Sequence, residues 1–504
     1  MTELHARDAW DLADAIRRGE ITSTEVVDAH LARIEAINPR LNAMAYLDAE
    51  SARARAAEID AEIATGADPG PFAGVPLGVK ELAQAEGLPD THASMLYRDE
   101  LAAHDCAEVA RLRAAGAVVV GLTTAPEFGI PSFTNSPLHG VTRNPWNLER
   151  TPGGSSGGSA AAVSSGMLPF CTGSDGGGSI RIPSSYSGLP GLKSTFGRIG
   201  SGPDAAFDAG LTSVHGPMVR SVRDAARYID VTAGPTLTDP TSLPKPEPYE
   251  PMVVSGTAGE RLRAKRVAWS STLGYGVVDP EVESVVLDAA HALVDGAGME
   301  WVDVDVVLPK PGRAWGLLGA PNMAAWHLDD ATGREDELDF LARASFEGMP
   351  RLRARHLGAA VQRRQELLLA TAGLFSEIDV LLTPTTATTA FAAEGVLSGE
   401  VDGREVDLMI LSAAFTAPFN MTGQPGCSIP AGLVGDMPVA LQAVGRRHED
   451  DLTLACAAVL EEIRPWPKFA PGYEHGVPAP ALRPAIPDRR ARNGPPRPSD
   501  TLAG

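Results

Sequence analysis

Two clusters of glycine and serine, separated by a short apolar run, place the tightest restriction on how this chain can fold. They lie between Thr151 and Arg181, in the sequence TPGGSSGGSAAAVSSGMLPFCTGSDGGGSIR. A flexible linker has no reason to alternate with apolar segments that have the length of a helix or a strand. Glycines let a backbone approach a substrate closely, and serines supply hydroxyl nucleophiles. The stretch therefore predicts a site for acyl transfer, in which backbone N–H groups stabilise a developing oxyanion.

Phosphate binding is the other chemistry that glycine-rich loops commonly serve, and the sequence argues against it. Neither cluster has the pattern G-x-x-x-x-G-K-[ST]. No G-x-G-x-x-G follows a clear strand with an acidic residue about 20 positions further on. A nucleotide site is therefore not predicted.

Composition excludes several classes of partner. The 504 residues carry a net charge of −21 at pH 7, which argues against binding to nucleic acid or to an anionic membrane surface. The sequence contains no run of about 18 apolar residues, so a membrane span is not predicted. The N-terminal sequence lacks the pattern of a secretion signal. The four cysteines are scattered, without a metal-binding spacing or a dense disulfide framework. We expect a cytoplasmic protein that needs no metal.

Helical and extended patterns alternate along most of the chain. Thr22 begins a capping-box pattern, and Val27, Leu31 and Ile34 then recur at helical spacing up to Pro39, where the helix is predicted to stop. Further helices are predicted at residues 49–64, 105–115, 280–297, much of 312–368, and 449–463. Strands are predicted at residues 74–79, 117–122, 267–269, 379–384 and 439–444. This alternation predicts an α/β fold whose sheet is covered by helices on both faces.

The chain divides into three predicted regions. Residues 1–65 form an N-terminal helical region, residues 66–475 form one large α/β domain, and residues 476–504 form a tail rich in proline and arginine. We expect the tail to be disordered because it has no aromatic residue and no apolar periodicity. A proline-rich segment at 235–251 is predicted to be an extended surface crossover.

The motifs resemble those of the amidase signature family of serine hydrolases. GGSSGGS at 153–159, followed by GSDGGGSIR at 173–181, resembles the family signature, and GVPLGVK at 74–80 resembles its lysine motif. Segments at 142–147, 382–384 and 438–442 are also similar to the family. The resemblance extends over nearly the whole chain, up to about His475. It implies a single large domain with a mixed central β-sheet flanked by α-helices.

The resemblance also implies a Ser-Ser-Lys catalytic triad. Ser179 would be the nucleophile, Ser155 the bridging hydroxyl, preceded by a cis peptide bond, and Lys80 the base. A lysine is normally protonated and cannot accept a proton, so Lys80 must be desolvated in order to work. Its position at the end of an apolar segment permits that burial.

The second glycine cluster is predicted to form the oxyanion hole. The backbone N–H groups of Gly176, Gly177, Gly178 and Ser179 can converge on a carbonyl oxygen because no side chains obstruct them. Many members of the family carry threonine or isoleucine in place of Gly176, and glycine there leaves the donor present but loosens the loop.

Three further residues are predicted to support the site. Asp175 and Arg181 flank the glycine turn and are close enough in sequence to form an ion pair with a structural role. The hydroxyl of Ser156 is predicted to hydrogen-bond within the same network. The walls of the substrate pocket are expected from three segments, at residues 95–101, 128–135 and 312–326.

The predicted function is hydrolysis of a carboxylic amide to an acid and an amine through a serine acyl-enzyme. The same machinery suits esters and carbamates, and no metal or organic cofactor is implied. The family leaves open an amidotransferase subunit that releases ammonia from glutamine in a tRNA-modifying complex. By analogy we expect a homodimer.

An unrelated enzyme class also remains open, because residues 154–158 match the G-x-S-x-G nucleophile elbow of α/β-hydrolases. In that case Ser156 would be the nucleophile, with His215 or His448 as the base. A non-catalytic binding protein is the last alternative, and the presence of all three triad residues argues against it.

Overall fold

The apolar runs predicted as strands form the centres of two mixed β-sheets in the computed structural model, which describes residues 3–202 and 210–475. The first sheet has five strands, in the spatial order β1 (Met44–Leu47), β3 (Val118–Thr123), β2 (Pro76–Lys80), β6 (Phe170–Asp175) and β8 (Val214–Met218). Strand β2 is parallel to its neighbours β3 and β6, whereas the edge strands β1 and β8 are antiparallel to theirs.

The second sheet has six strands, in the order β10 (Glu300–Trp301), β9 (Arg266–Trp269), β11 (Val380–Pro384), β15 (Met437–Gly445), β14 (Gly426–Val434) and β7 (Gly191–Lys193). Strands β10, β9 and β11 are parallel, and the remaining pairs are antiparallel. The edge strand β7 lies beside β8, so the two sheets meet there. Two short hairpins are formed by β4 (Asn135–Ser136) with β5 (Gly140–Val141), and by β12 (Ser398–Val401) with β13 (Arg404–Asp407).

Helices flank both sheets. They are α1 (Ala9–Arg17), α2 (Ser23–Leu41), α3 (Ala49–Ala64), α4 (Ala107–Ala114), α5 (Gly157–Ser164), α6 (Arg181–Ser187), α7 (Val222–Thr232), α8 (Glu250–Val254), α9 (Ala258–Leu262), α10 (Pro280–Ala297), α11 (Ala314–Ala331), α12 (Phe340–Gly348), α13 (Ala354–Glu377), α14 (Leu408–Ser412), α15 (Ala417–Thr422) and α16 (Asp450–Ile463). The predicted α/β class, with mixed sheets flanked by helices, is confirmed.

The predicted elements correspond closely to observed ones. The five predicted strands are β2, β3, β9, β11 and β15, and the predicted helices are α3, α4, α10, α11 to α13, and α16. Every residue of β3 is buried, which explains why its sequence is a continuous apolar run. Residues 235–249 contain no helix or strand, as predicted for the crossover.

Helix α2 extends beyond its predicted end at Pro39, and that prediction was wrong. At its start, the side chain of Thr22 accepts the N–H of Glu25, and the side chain of Glu25 accepts the N–H of Thr22, so the capping box is present. Pro39 lies in the last turn, where its missing N–H removes only one helical hydrogen bond. The helix continues to Leu41 and ends at Asn42, whose φ of 52° is left-handed.

The N-terminal region packs directly on the body of the protein. Val27, Leu31 and Ile34 of α2 share a buried cluster with Val118 and Val120 of β3. The region is also not purely helical, since β1 lies within it and pairs with β3. The predicted tail at 476–504 lies outside the described residues. Within the residues that are described, helices long and apolar enough to cross a bilayer are absent.

Candidate active site

Lys80 lies at the carboxyl end of β2, and its ammonium group contacts two serine hydroxyls. Its Nζ donates to Ser155 Oγ at 2.7 Å and to Ser174 Oγ at 2.9 Å. The side chain is buried, with only 1% of it exposed. Burial disfavours the charged form and lowers the pKa of Lys80 to about 7, although the negative charges of Asp175 and Glu108 oppose this shift. The neutral amine is therefore accessible to Lys80 near neutral pH, unlike in an exposed lysine.

The pairing of β2 with β6 explains why Lys80 and Ser174 meet. These strands are parallel neighbours, so their carboxyl ends lie at the same edge of the sheet. The backbone N–H of Lys80 donates to Thr172 Oγ1 on β6 at 2.8 Å, which fixes the two strand ends together. Ser174 was not predicted as a site residue, and its one signal in the sequence was its place in the second glycine-serine cluster.

The two glycine-serine clusters are in contact through their backbones. The peptide bond between Gly154 and Ser155 is cis. The N–H of Ser156 donates to the carbonyl oxygen of Ser179 at 3.2 Å, which brings the residues of the predicted triad to one place. The buried hydroxyl of Ser156 lies 3.3 Å from both the N–H and the carbonyl oxygen of Ser174. This is the supporting hydrogen bonding predicted for Ser156.

Ser179 is half-buried, whereas the next two residues, Ile180 and Arg181, are fully buried. It comes directly after the glycine turn and two residues before α6 begins. Ser179 is therefore a partly exposed residue between the buried residues Gly178 and Ile180.

Asp175 and Arg181 form a buried ion pair beneath the glycine turn, as predicted. Arg181 Nη2 donates to Asp175 Oδ1 at 2.9 Å, and Arg181 Nε donates to Asp175 Oδ2 at 2.9 Å. Neither side chain is exposed. Burial by itself would raise the pKa of Asp175, but the charge and hydrogen bonds of Arg181 hold this pKa well below its usual range. The carboxylate therefore stays ionised at any working pH.

The carboxylate of Asp175 also reduces the number of N–H groups that are available as oxyanion donors. The N–H of Gly178 donates to Asp175 Oδ1 at 2.7 Å, so it is already engaged. Of the four predicted donors, the N–H groups of Gly176, Gly177 and Ser179 remain as candidates. Their role as an oxyanion hole stays a prediction.

The carbonyl oxygens of the glycine turn accept hydrogen bonds from residues outside the turn. They accept hydrogen bonds from three elements: Gly176 from Trp315 Nε1 of α11 at 2.7 Å, Gly177 from Thr416 Oγ1 beside α15 at 2.6 Å, and Gly178 from the N–H of Ile182 in α6 at 2.7 Å. The turn therefore has a fixed backbone orientation despite its glycines.

Residues that are distant in sequence also form hydrogen bonds with the Asp175–Arg181 ion pair. Arg181 donates to Gln442 Oε1 at 2.7 Å and to Asn420 Oδ1 at 2.6 Å, while Asn420 donates to the carbonyl oxygen of Asp175 at 2.7 Å. Gln442 belongs to the segment at 438–442 that resembled the family. Asn420 carried no signal in the sequence analysis, and its role depends on the position of α15.

A second buried lysine lies near this ion pair. Lys193 is fully buried on β7, and its Nζ donates to the carbonyl oxygen of Ser194 at 3.0 Å. Burial, reinforced by the positive charge of Arg181, lowers the pKa of Lys193 to about 7, against the opposing charges of Asp175 and Asp450. The protein therefore contains two buried amines that are partly neutral at pH 7.

Of the three segments predicted as pocket walls, the one at 128–135 borders Ser155. A β-carbon placed on Gly129 would lie 3.3 Å from Ser155 Oγ, so the loop at 127–130 borders the site. The neighbouring ring of Phe128 packs against His327 of α11, with 4.9 Å between ring centroids, and the hydroxyl of Tyr97 lies 2.9 Å from His327 Nδ1. His327 is one residue beyond the predicted wall at 312–326.

The nucleophile elbow does not fit this geometry. An elbow places its serine directly after a strand, whereas residues 142–156 contain no strand. The hydroxyl of Ser156 is turned toward Ser174, as described above. His215 lies on β8 with its Nδ1 at 3.3 Å from Glu108 Oε2, and the N–H of His448 donates to Thr195 Oγ1 at 3.0 Å. The side chain of His215 is thus paired with Glu108, and the bond of His448 to Thr195 is made by its backbone N–H.

Fold and site together define an enzyme built for acyl transfer. A family model described as Amidase matches residues 25–454, and the chain belongs to this family. In the described ranges 3–202 and 210–475, no group of three or more histidine, cysteine, aspartate or glutamate side chains could hold a metal ion.

Known relatives match almost the whole chain. An acylamidase of Rhodococcus erythropolis is 35% identical over 474 residues, which covers 92% of this chain and 98% of the relative. A glutamyl-tRNA(Gln) amidotransferase subunit of Roseiflexus sp. (strain RS-1) is 36% identical over 496 residues, with 92% and 98% covered. The crystal structure of a bacterial aryl acylamidase of the amidase signature enzymes has a TM-score of 0.86 and 28% identity, and the match covers 92% of this chain and 97% of that one.

Proposed function

We propose that this protein hydrolyses a carboxylic amide to an acid and an amine through an acyl-enzyme on Ser179. Cleavage of carbon–nitrogen bonds other than peptide bonds is the chemistry of the family to which the chain belongs, and the protein is an amidase. The observation that carries the proposed mechanism is the 2.7 Å hydrogen bond between the buried Lys80 Nζ and Ser155 Oγ.

Acylation begins with proton transfer toward the lysine. The neutral amine of Lys80 takes the proton of the Ser155 hydroxyl, which in turn takes the proton of Ser179. The oxygen of Ser179 forms a bond to the carbonyl carbon of the substrate, and the carbonyl oxygen becomes an oxyanion. The remaining N–H donors of the glycine turn stabilise this oxyanion by roughly 3–4 kcal/mol per well-placed donor.

Collapse of this intermediate breaks the carbon–nitrogen bond. The proton held by Lys80 returns through Ser155 to the leaving nitrogen, so the amine departs in its neutral form. In the second half-reaction the same relay removes a proton from water, which attacks the acyl-enzyme. The acid is released and Ser179 regains its proton, so the enzyme returns to its starting state.

The proposed substrate carries an aryl or other large apolar group. The rings of Tyr97 and His327 pack against Phe128, which directly precedes Gly129 in the loop that borders Ser155. Burial, together with the charge of His92, lowers the pKa of His327 to about 4, so this ring is neutral at pH 7. Neutral aromatic walls favour apolar ligands. The names of two relatives, an acylamidase and an aryl acylamidase, support the same class.

The second candidate is one component of an amidotransferase, since a relative with that name is 36% identical over nearly its full length. The deciding experiment uses the purified chain alone, with chromogenic anilides, esters and carbamates of matched acyl groups, and with glutamine. Hydrolysis of anilides without partner proteins or ATP would support the free-standing amidase. Release of ammonia from glutamine as the sole activity, seen only after partner proteins are added, would support the amidotransferase.

The proposed assembly is a cytoplasmic homodimer. Light scattering coupled to size-exclusion chromatography of the purified chain measures this state directly, and a monomeric mass at micromolar concentration would contradict it.

A further inference from the structure

Helix α11 contacts the glycine turn through a single tryptophan near its first residue. The indole N–H of Trp315 donates to the carbonyl oxygen of Gly176 at 2.7 Å. Its ring packs on the next residue so closely that a β-carbon placed on Gly177 would lie 2.5 Å from Trp315 Cζ2. A side chain at position 177 and the indole could not occupy their present positions together.

This hydrogen bond fixes the direction of a candidate oxyanion donor. The carbonyl group of Gly176 and the N–H of Gly177 belong to the same peptide unit, and in a trans peptide they point in opposite directions. When Trp315 holds the carbonyl oxygen, the N–H of Gly177 must point to the other side of the turn.

The two following peptide units are held by other residues. The unit of Gly177 and Gly178 is engaged at both ends, by Thr416 and by Asp175. In the unit of Gly178 and Ser179, the carbonyl oxygen accepts the N–H of Ile182, which leaves the N–H of Ser179 directed away from α6. Each of these three peptide units therefore has at least one restraint, and Trp315 supplies the restraint for the unit that contains the N–H of Gly177.

We infer that Trp315 is a positioning residue for the oxyanion hole, an inference that rests on the proposed acyl-transfer function. The glycine at position 176 gives the reason why an external restraint is needed. A β-carbon there would meet nothing closer than Ser213 at 3.9 Å, and φ of Gly176 lies outside the left-handed region, so the structure has room for a side chain. Without one, the backbone of the turn has more freedom, and Trp315 removes it from outside.

The contact can be altered without disturbing the core. Trp315 is half-buried at the edge of the protein interior, unlike the fully buried Thr416 and the Asp175–Arg181 pair. Trp315→Phe keeps a ring against Gly177 but removes the N–H donor.

The test compares Trp315→Phe with wild type on a chromogenic anilide and on two inhibitors. One inhibitor is a trifluoromethyl ketone, whose tetrahedral adduct with Ser179 places an oxyanion in the hole, and the other is the carboxylic acid product. We expect kcat to fall by about 10- to 100-fold with KM unchanged within about twofold, because the lost restraint acts on the transition state. The affinity for the ketone should fall by the same factor as kcat, and the affinity for the acid should not change.

Trp301→Phe is the matched control, since Trp301 lies on the edge strand β10, outside the predicted pocket walls, with 39% of its surface exposed. It should match wild type in all four measurements. Trp315→Leu provides a second variant that cannot donate, and thermal melting shows whether each variant is folded.

The inference would be overturned by a folded Trp315→Phe or Trp315→Leu protein with unchanged kcat and unchanged ketone affinity. It would also be overturned if KM alone rose, because Trp315 would then only line the pocket. A wild-type protein that hydrolyses no anilide, ester or carbamate and is not labelled by a fluorophosphonate would overturn the proposed function, and the inference with it.

Discussion

At the scale of single residues, we expect Lys80 to determine the pH dependence of the reaction. Its neutral form is the proposed base, and its pKa is about 7, so the acylation rate should rise through pH 7 and stay high on the alkaline side. Lys80→Ala should lower the acylation rate by about 10²- to 10⁴-fold without unfolding the protein. Lys80→Arg should fail as well, because a guanidinium group remains charged. Single-turnover kinetics across pH 5 to 10 would measure both effects.

Histidine variants are the controls for this prediction. His215→Ala and His448→Ala should change the rate only modestly, since neither side chain is assigned to the site. Near wild-type turnover in Lys80→Ala would show that another group is the base, as would a histidine variant as inactive as Ser179→Ala.

Serine variants separate the proposed nucleophile from its neighbours. Ser179→Ala should abolish covalent labelling by a fluorophosphonate probe, because the half-buried Ser179 is the proposed nucleophile. Ser156→Ala should retain labelling, because the Ser156 hydroxyl is buried and hydrogen-bonded to Ser174. Gel fluorescence and intact-protein mass after labelling provide the measurement. Labelling of Ser179→Ala together with none of Ser156→Ala would move the chemistry to the elbow mechanism.

At the scale of elements, the aromatic wall beside the site should control which amides are accepted. Phe128→Leu removes the ring that packs against His327 while keeping an apolar side chain. We expect kcat/KM for an anilide to fall by roughly 2- to 12-fold, which corresponds to the loss of an aromatic contact of about 0.5–1.5 kcal/mol, and that for a short aliphatic amide to change little. Parallel assays of ammonia and aniline release would measure the ratio.

Phe340 offers the matched control for this element, because it is a phenylalanine at the start of α12 with 58% of its surface exposed. Phe340→Leu should leave both substrates unaffected. An equal loss for anilide and aliphatic amide in Phe128→Leu would mean that Phe128 supports the loop at 127–130 and does not select the substrate.

The elements also show what the sequence could predict and what it could not. Strands such as β3 are long apolar runs, and helices such as α10 have a capping residue at one end and Gly298 at the other, so local patterns were sufficient for them. The short strands β1, β7 and β8 were missed because they owe their conformation to neighbouring strands. Helix α2 passes Pro39 for a similar reason, since its packing outweighs one lost hydrogen bond.

The residues of the site likewise divide into those that local sequence patterns predict and those that they do not. The candidate triad could be predicted because Lys80, Ser155 and Ser179 each lie in a motif that is continuous in sequence. Trp315 and Asn420 could not, because they reach the glycine turn from 139 and 245 residues away and no local pattern encodes such a contact. Contacts between residues that are distant in the chain cannot be predicted from the local patterns of a single sequence.

At the scale of the whole molecule, the two buried lysines should release protons when the chain folds. The pKa values of Lys80 and Lys193 are about 7 in the folded protein, against 10.5 in an exposed lysine. Between these values the two lysines bind protons in the unfolded chain that they do not bind in the folded chain, so their own contribution to the free energy of unfolding should increase with pH across this window. At pH 8 each lysine should take up close to one proton when the chain unfolds, by the same linkage relation.

Calorimetry can count these protons, because the apparent enthalpy of unfolding then differs between phosphate and Tris, whose ionisation enthalpies are unequal. Lys193→Met should reduce the uptake at pH 8 by about one proton. An uptake equal to that of wild type would mean that Lys193 is charged when folded. Burial of Lys80, the proposed general base, therefore lowers the free energy of unfolding, and it does so more strongly at acidic pH. A slightly alkaline solution, which frees the amine for the reaction, is also the condition in which the folded state tolerates that amine best.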